Sequence, residues 1–402
     1  DANGRGDYTT VQAAINAAPA NLTSPYLIFI AAGTYNECVY IPKTKPFIHL
    51  IGENPDRVKI QFALNRVEEQ TNSDTWPYSI HNPNSPARLA GYTTDQNCVV
   101  LIKATDVYLE NISIINLYGA LKSRYDGGLG KGGQAEALCS HYDRLAMNNC
   151  KLVSFQDTWW TRFQKVNGTY GICRAYVQNS WIEGSTDYIW GSGDVLIENS
   201  TFYNTGNGSF ITASRSNETD AYGYVMKDCT IDGEAGITAF SFGRQQSTSA
   251  KAVFINTALK MDIIDGHWTA GSAAPALFGE YNTVDKNNQV ISTGDMTVGS
   301  GSSQFTAKVL SADEAAGYTY ENIIAREGWN PKQYMQTPGT TMATLDGTTL
   351  SWNAIDGAAG YLIFVNGVYL AQTTETSVSV TTAADGVYTV RGVGHYGSIS
   401  AE

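Results

Sequence analysis

Two aspartates in this 402-residue chain stand where they could do acid–base or nucleophilic chemistry together. Asp157 lies in "SFQDTWW", beside the amide of Gln156 and inside an otherwise apolar stretch, where neither group is buried cheaply without partners. Asp187 lies in "IEGSTDYIWG". Each follows an asparagine by eight residues, Asn149 for Asp157 and Asn179 for Asp187. If those asparagines mark equivalent points of successive repeats, the two acids share one slot on neighbouring strands, about 4.8 Å apart. Two carboxylates that close cannot both ionise cheaply, so their proton affinities separate and one serves as acid, the other as base or nucleophile. Register alone weighs this reading evenly against a pair of structural turn aspartates.

The repeat itself is legible. "VYLENISI", "LAMNNCKL", "AYVQNSWI", "VLIENSTF", "YVMKDCTI" and "VFINTAL" share apolar positions around an Asn or Asp, at Asn111, Asn149, Asn179, Asn199, Asp228 and Asn256. Short strands flanking a polar turn at one fixed point predict a β-solenoid whose coils bury their apolar faces by stacking, with the Asn side chains laddered at a corner. The spacings are too long and too variable for the hairpins of an antiparallel sandwich.

Composition narrows the partners. The 39 glycines, 24 tyrosines and 8 tryptophans suit a strand- and turn-rich globular chain, and a net charge of −12 argues against nucleic acid or an anionic membrane surface. A polyanionic substrate would therefore need specific local contacts. No apolar run is long enough to span a bilayer. The chain opens "DANGRGDYTT", without a leader's basic and apolar regions, which fits a cytosolic protein or a mature secreted one. The six cysteines contain no C-x-x-C pair and read as buried free thiols. "GGLGKGGQ" lacks the Ser or Thr of a phosphate-binding loop, no G-x-S-x-G elbow occurs, and Ser140, His141 and Asp143 of "CSHYD" are too close in sequence for a triad. Sequons occur at Asn21, Asn111 and Asn217, the second of them at a ladder turn.

"GGQAEAL", "VSFQDTWW", "SWIEGSTDYIWG" and "FSFGRQQ" resemble, in order, the four signatures of pectin methylesterases. "DYTTVQAAINAAP", "LIFIAAGTYNECVYIP", "HLIGENPDRVKI", "FITAS", "FGEYN" and "REGWNP" extend the resemblance over roughly residues 1 to 333. It implies a right-handed parallel β-helix and the hydrolysis of galacturonate methyl esters in pectin, without metal or cofactor. It also implies roles: Asp187 as nucleophile, Asp157 as general acid and then base, Gln156 and Gln134 as oxyanion donors, and Arg244 as the partner that keeps Asp187 ionised. Where the family continues this motif as Arg-Pro-Trp, the chain reads Arg244-Gln245-Gln246, so the tryptophan that packs on the substrate ring is missing. Trp159, Trp160, Trp190 and Gln246 are then the candidates for contact with the sugar, against the bland alternative that strand aromatics are core. Glu136 adds an acid near Gln134, and "RFQKVNGTYGICR" is an insertion expected to loop near the cleft. The competing readings are a pectate lyase, which would need a calcium-binding carboxylate cluster and a basic proton abstractor, and a β-helix that binds pectin without turnover.

The ends differ in character. "TTVQAAINAAP" has Val11, Ala14, Ile15 and Ala18 at helical spacing and ends at Pro19, predicting a short helix that caps the solenoid. After residue 340 apolar and polar residues alternate, with turns at Asp356-Gly357, Asn366-Gly367 and Asp385-Gly386. The organisation expected is a catalytic β-helix over 1–334, a linker over 335–341, and a small β-sandwich resembling a fibronectin type III module over 342–402. That module points to spacing or tethering and to a secreted or cell-surface bacterial enzyme. The chain is expected to act as a monomer.

Overall fold

The computed structural model describes residues 1–65, 98–162, 168–381 and 386–401. The turn residue Asp385 and residues 163–167 of the insertion lie outside the described residues.

Three parallel sheets wind around one core. Sheet A runs from Tyr26–Ile30 through Leu145–Asn148 and Arg174–Gln178 towards Phe305–Val309; sheet B includes Lys151–Val153 and Trp181–Gly184; sheet C includes Glu136–Ser140, Trp159–Thr161, Ile189–Gly191, Ser209–Ser214 and Phe240–Gln245. Each coil contributes one strand to each sheet, so consecutive coils pair in parallel: Leu145 with Ala175, Lys151 with Trp181, Trp159 with Ile189. This is the parallel β-helix that the repeats predict. Apolar residues from every coil fill the interior, where Phe242 stacks on Phe254 at 4.2 Å and Trp268 on Phe278 at 4.4 Å. Such rows bury large rings that a single coil could not shield from water.

The repeating Asn or Asp turns the chain between sheets A and B. All six positions have positive φ, from 49° at Asn199 to 57° at Asn111. Asn and Asp tolerate this left-handed region better than other side-chain-bearing residues. The side chains ladder in part: Asn149 donates to Asn111 at 2.7 Å and Asn256 to Asp228 at 2.8 Å, whereas Asn179 donates to Asn148 at 3.0 Å. A further rung, Asn282 donating to Asn256 at 3.0 Å, escapes the sequence reading because the repeat pattern fades there.

The predicted cap is a helix at Val11–Ala17, with Thr10 accepting from the Ala13 amide at its start, and Val11, Ala14 and Ile15 buried on the first coils. Residues beyond 342 form two three-stranded antiparallel sheets, and the Asn366-Gly367 hairpin has the two positive φ values that its turn requires. These sheets do not stand apart from the coil. Phe364 and Tyr369 pack on Phe29, the Ser398 hydroxyl donates to Glu110 at 2.6 Å, and His49 Nδ1 lies 2.8 Å from the Tyr396 carbonyl oxygen. The preceding segment does the same further along sheet A, where Tyr320, Ile323 and Trp329 join one apolar cluster with Tyr176 and Leu196. Sheet A is therefore covered outside as well as inside. The cleft must lie elsewhere.

Two outcomes follow. Asn149→Val should lower stability by about 1–2 kcal/mol because a β-branched residue is strained at positive φ, while Asn149→Gly should cost less; urea-denaturation midpoints measure both. Burial lowers the pKa of His49 from 6.5 to about 4, so the unfolded chain binds the proton first. Its contribution to stability is present above pH 6.5 and is lost as pH falls towards 4. The slope of stability against pH across that window should flatten in His49→Gln relative to the parent.

Candidate active site

Asp157 and Asp187 each sit at the corner that leads from sheet B into sheet C. Trp159 pairs with Ile189, so the residues two positions earlier, Asp157 and Asp187, occupy the same slot on consecutive coils. The Asp157 amide donates to the Thr186 carbonyl at 3.0 Å, which fixes that alignment. Both aspartates have positive φ, 62° and 51°, and both are 3% exposed. Aspartate tolerates this backbone, and the bend turns each carboxylate out of the strand's alternation.

Arg244 comes from two coils further along sheet C, through the register Trp190–Ala213–Arg244. Its guanidinium grips Asp187 with both prongs, Nε to Oδ1 at 2.9 Å and a terminal nitrogen to Oδ2 at 2.6 Å. Such charge-assisted, two-point pairing is stronger than a neutral hydrogen bond and fixes the carboxylate's orientation. The hydrogen bond to Asp187 raises the pKa of Arg244 above its ordinary value. The guanidinium also lies 4.9 Å from the centre of the Phe210 ring, a contact the sequence reading misses. The only local signal is that Phe210 sits at the start of the strand preceding Arg244's own.

Gln134 and Gln156 face each other as a parallel bridge on adjacent coils, both half-buried, one coil before Asp157 and Asp187 respectively begin to pair. Glu136 lies two residues past Gln134, buried at the start of the strand that follows. Gln246 turns back into the site, its amide donating to Asp187 Oδ2 at 3.3 Å. It therefore holds the carboxylate as well as facing the cleft.

The tryptophans divide. Trp159 points into the coil, fully buried, with Nε1 donating to the Ser140 hydroxyl at 3.0 Å, so it is removed from the candidates for sugar contact. Trp160 and Trp190, one residue on, point outward and half-exposed, stacked at 4.5 Å with planes 9° apart. Strand alternation decides this: neighbours face opposite sides. Of the "CSHYD" residues, Ser140 accepts from Trp159, His141 is buried with its pKa lowered to about 3, and Asp143 pairs with Arg174 at 2.7 Å. They serve three separate contacts.

A buried aspartate pair, a guanidinium fork and two aligned glutamines thus lie together on a parallel β-helix. The solved structures of this fold that it resembles include the pectin methylesterase from carrot, at a TM-score of 0.62 and 21% identity over 83% of this chain and 95% of that one. Another is the pectin methylesterase of Erwinia chrysanthemi, with a TM-score of 0.59 and 22% identity over 81% and 94%. In sequence the chain is 27% identical over 329 residues to a probable pectinesterase A of Neosartorya fischeri, covering 81% of this chain and 85% of that protein. It is 28% identical over 285 residues to pectinesterase 31 of Arabidopsis thaliana, covering 69% and 80%. Residues 1–327 match the Pectinesterase family, and the chain belongs to it.

The pairing predicts opposite effects on stability. Arg244→Ala leaves a nearly buried carboxylate short of donors and should destabilise by about 1–3 kcal/mol. Asp157→Asn removes a buried carboxyl stacked beside another and keeps a residue suited to positive φ, so it should be neutral or stabilising. Urea-denaturation midpoints of the two variants check this.

Proposed function

We infer that the protein hydrolyses the methyl esters of galacturonate units in pectin, releasing methanol and leaving free carboxylates. The observation that carries this is the two-point grip of Arg244 on Asp187, with Asp157 in the same slot one coil away. The fork holds the Asp187 carboxylate in one orientation with a positive charge beside it, which positions it as a nucleophile. One carboxylate oxygen attacks the ester carbonyl carbon, and the electron pair of the C=O bond moves onto its oxygen. The amides of Gln156 and Gln134 are the donors for that charge, and because they are held on adjacent coils they need not reorganise as it forms. Collapse of the adduct breaks the bond to methoxide, which takes the proton of Asp157 and leaves as methanol. An acyl–aspartyl anhydride remains. Asp157, now a carboxylate, removes a proton from water, whose oxygen attacks the acyl carbon, and Asp187 departs ionised.

The stacked, half-exposed rings of Trp160 and Trp190, three residues past Asp157 and Asp187, offer apolar surface for contact with the sugar rings. They supply what the missing tryptophan of the Arg-Pro-Trp motif would. The antiparallel sheets beyond residue 342 are read as a fibronectin type III-like module fastened to the catalytic β-helix, and the substrate as an extracellular polysaccharide.

On this account Asp187→Asn should abolish methanol release from highly methylated pectin, a loss of at least about 10⁴-fold, and Gln156→Ala should lower kcat by about 10²–10³. Both assays are run with EDTA present. Undiminished methanol release by Asp187→Asn would refute the assignment of the nucleophile. Absence of release by the parent would refute the reaction.

A further inference from the structure

Between the strands Ser113–Asn116 and Glu136–Ser140 the chain leaves the coil and folds over the outer face of sheet B. Residues 117–133 form a two-limbed strap there. The Leu129 amide donates to Leu117 at 2.7 Å, Gly130 to Ala120 at 2.8 Å and Lys131 to Tyr118 at 2.9 Å. Leu117, Ala120 and Tyr125 of the strap pack with Ile115 and Val153 of the sheet. The outgoing limb presses on the corner before Gln156, where a Cβ on Gly119 would stand 2.6 Å from the Phe155 amide nitrogen. The returning limb bends at Gly133, with φ of 123°, and runs straight into Gln134. The side-chain amides of Gln134 and Gln156 have no hydrogen-bond partner among the described residues. Their placement is therefore set by the backbone that carries them, which for Gln134 is the end of the strap.

Glu183 ties the strap down. The ladder runs Ile115, Val153, Glu183, so this residue lies two coils beyond the strap's root, and its neighbour Ile182 faces the core. Glu183 thus points outward, yet it is wholly buried. Its Oε2 accepts from the Arg124 guanidinium at 2.8 Å, the Tyr125 hydroxyl at 2.8 Å and Trp181 Nε1 at 3.1 Å. Its Oε1 is buried with no hydrogen-bond partner among the described residues. Arg124 in turn lies 4.4 Å from the centre of the Tyr203 ring, which stacks on Trp181 at 4.7 Å. The Glu183 carbonyl oxygen accepts from the Ser154 amide at 3.3 Å and the Thr158 hydroxyl at 2.8 Å, on either side of Gln156 and Asp157. One residue holds the strap with its side chain and the aspartate corner with its backbone. A buried ion pair adds little net stability over apolar packing, but breaking it leaves a charge unpaired, so it fixes one arrangement.

We propose that Glu183 is a positioning residue: by latching Arg124 and Tyr125 it holds the strap where the Gln134 amide stands beside that of Gln156, ready for the charge on the ester oxygen. The proposal rests on the esterase reading, which gives the two amides their task. Glu183 is buried and meets no substrate; it acts through the backbone of the strap. Because an oxyanion donor acts on charge that exists only in the transition state, displacing it lowers kcat and leaves KM in place.

The test compares the parent with Glu183→Gln, which keeps the side chain's shape and removes its charge, and with Arg124→Gln, which cuts the same latch from the half-exposed strap. In methanol release from highly methylated pectin, kcat should fall by about 10–10² in both, with KM within about twofold of the parent. Glu183→Gln/Gln134→Ala should be no slower than Gln134→Ala alone, because the latch works through that amide. Losses that multiply, or a raised KM at unchanged kcat, overturn the proposal. Hydrogen exchange supplies a readout that needs no turnover. The amides of residues 129–131 should exchange at least about tenfold faster in either variant, while the strands of sheet A keep the parent's protection. Unchanged exchange at 129–131 overturns the latch, and so does faster exchange spread evenly over sheet A, which would mean general loosening. A parent that releases no methanol overturns the esterase reading, and exchange at 129–131 alone then decides whether the latch exists.

Discussion

The register between successive coils is the constraint on which the rest of the molecule depends. In a parallel ladder each residue's neighbours are set by the length of one turn, and an insertion moves side chains by whole positions unless it is confined to a loop. Here the turn is pinned at the corner between sheets A and B, where Asn or Asp holds a left-handed backbone coil after coil. Because that corner is fixed, the next one is fixed too. Asp157 and Asp187 meet there because Asn149 and Asn179 meet eight residues earlier.

Stacking two acids at buried corners is electrostatically unfavourable, and the structure offsets it from a third coil. Arg244 forks onto Asp187 through two hydrogen bonds and also feels the charge of Asp157, so its strongest hold is on one of the two carboxylates. Such asymmetry is what the proposed division into a nucleophile and a proton-exchanging neighbour requires. Gln246 adds a donor on the same oxygen that Arg244's terminal nitrogen contacts, which leaves Oδ1 with the less crowded lone pairs. Outside the corner, alternation along short strands sorts the tryptophans: Trp159 joins the core, and Trp160 and Trp190 the surface.

Much of this was legible beforehand because a solenoid converts sequence spacing directly into spatial proximity. The ladder positions, the shared slot of the aspartates and the capping helix all follow from periods and residue types. The arginine and glutamine roles came through resemblance, since nothing in the spacing alone ties Arg244 to Asp187 across two coils of unequal length. Two matters were beyond the sequence. The outward or inward sense of adjacent aromatics such as Trp159 and Trp160 depends on a strand phase that residue type does not reveal. The docking of the C-terminal sheets on sheet A depends on surface complementarity: His49, Glu110 and Phe29 carry no mark that Tyr396, Ser398 and Phe364 will cover them. A module that reads as a tether is packed against the coil.

The central claim is that the two aspartates act as one unit because the register stacks them. The most direct measurement is methanol release by Asp157→Asn, Asp187→Asn and the double variant, compared as a cycle at one pH. If the pair works as a unit, the double variant loses no more than the worse single one, since either substitution already disables the same sequence of steps. If instead the two losses multiply, the aspartates contribute independently and the stacked-pair account is wrong.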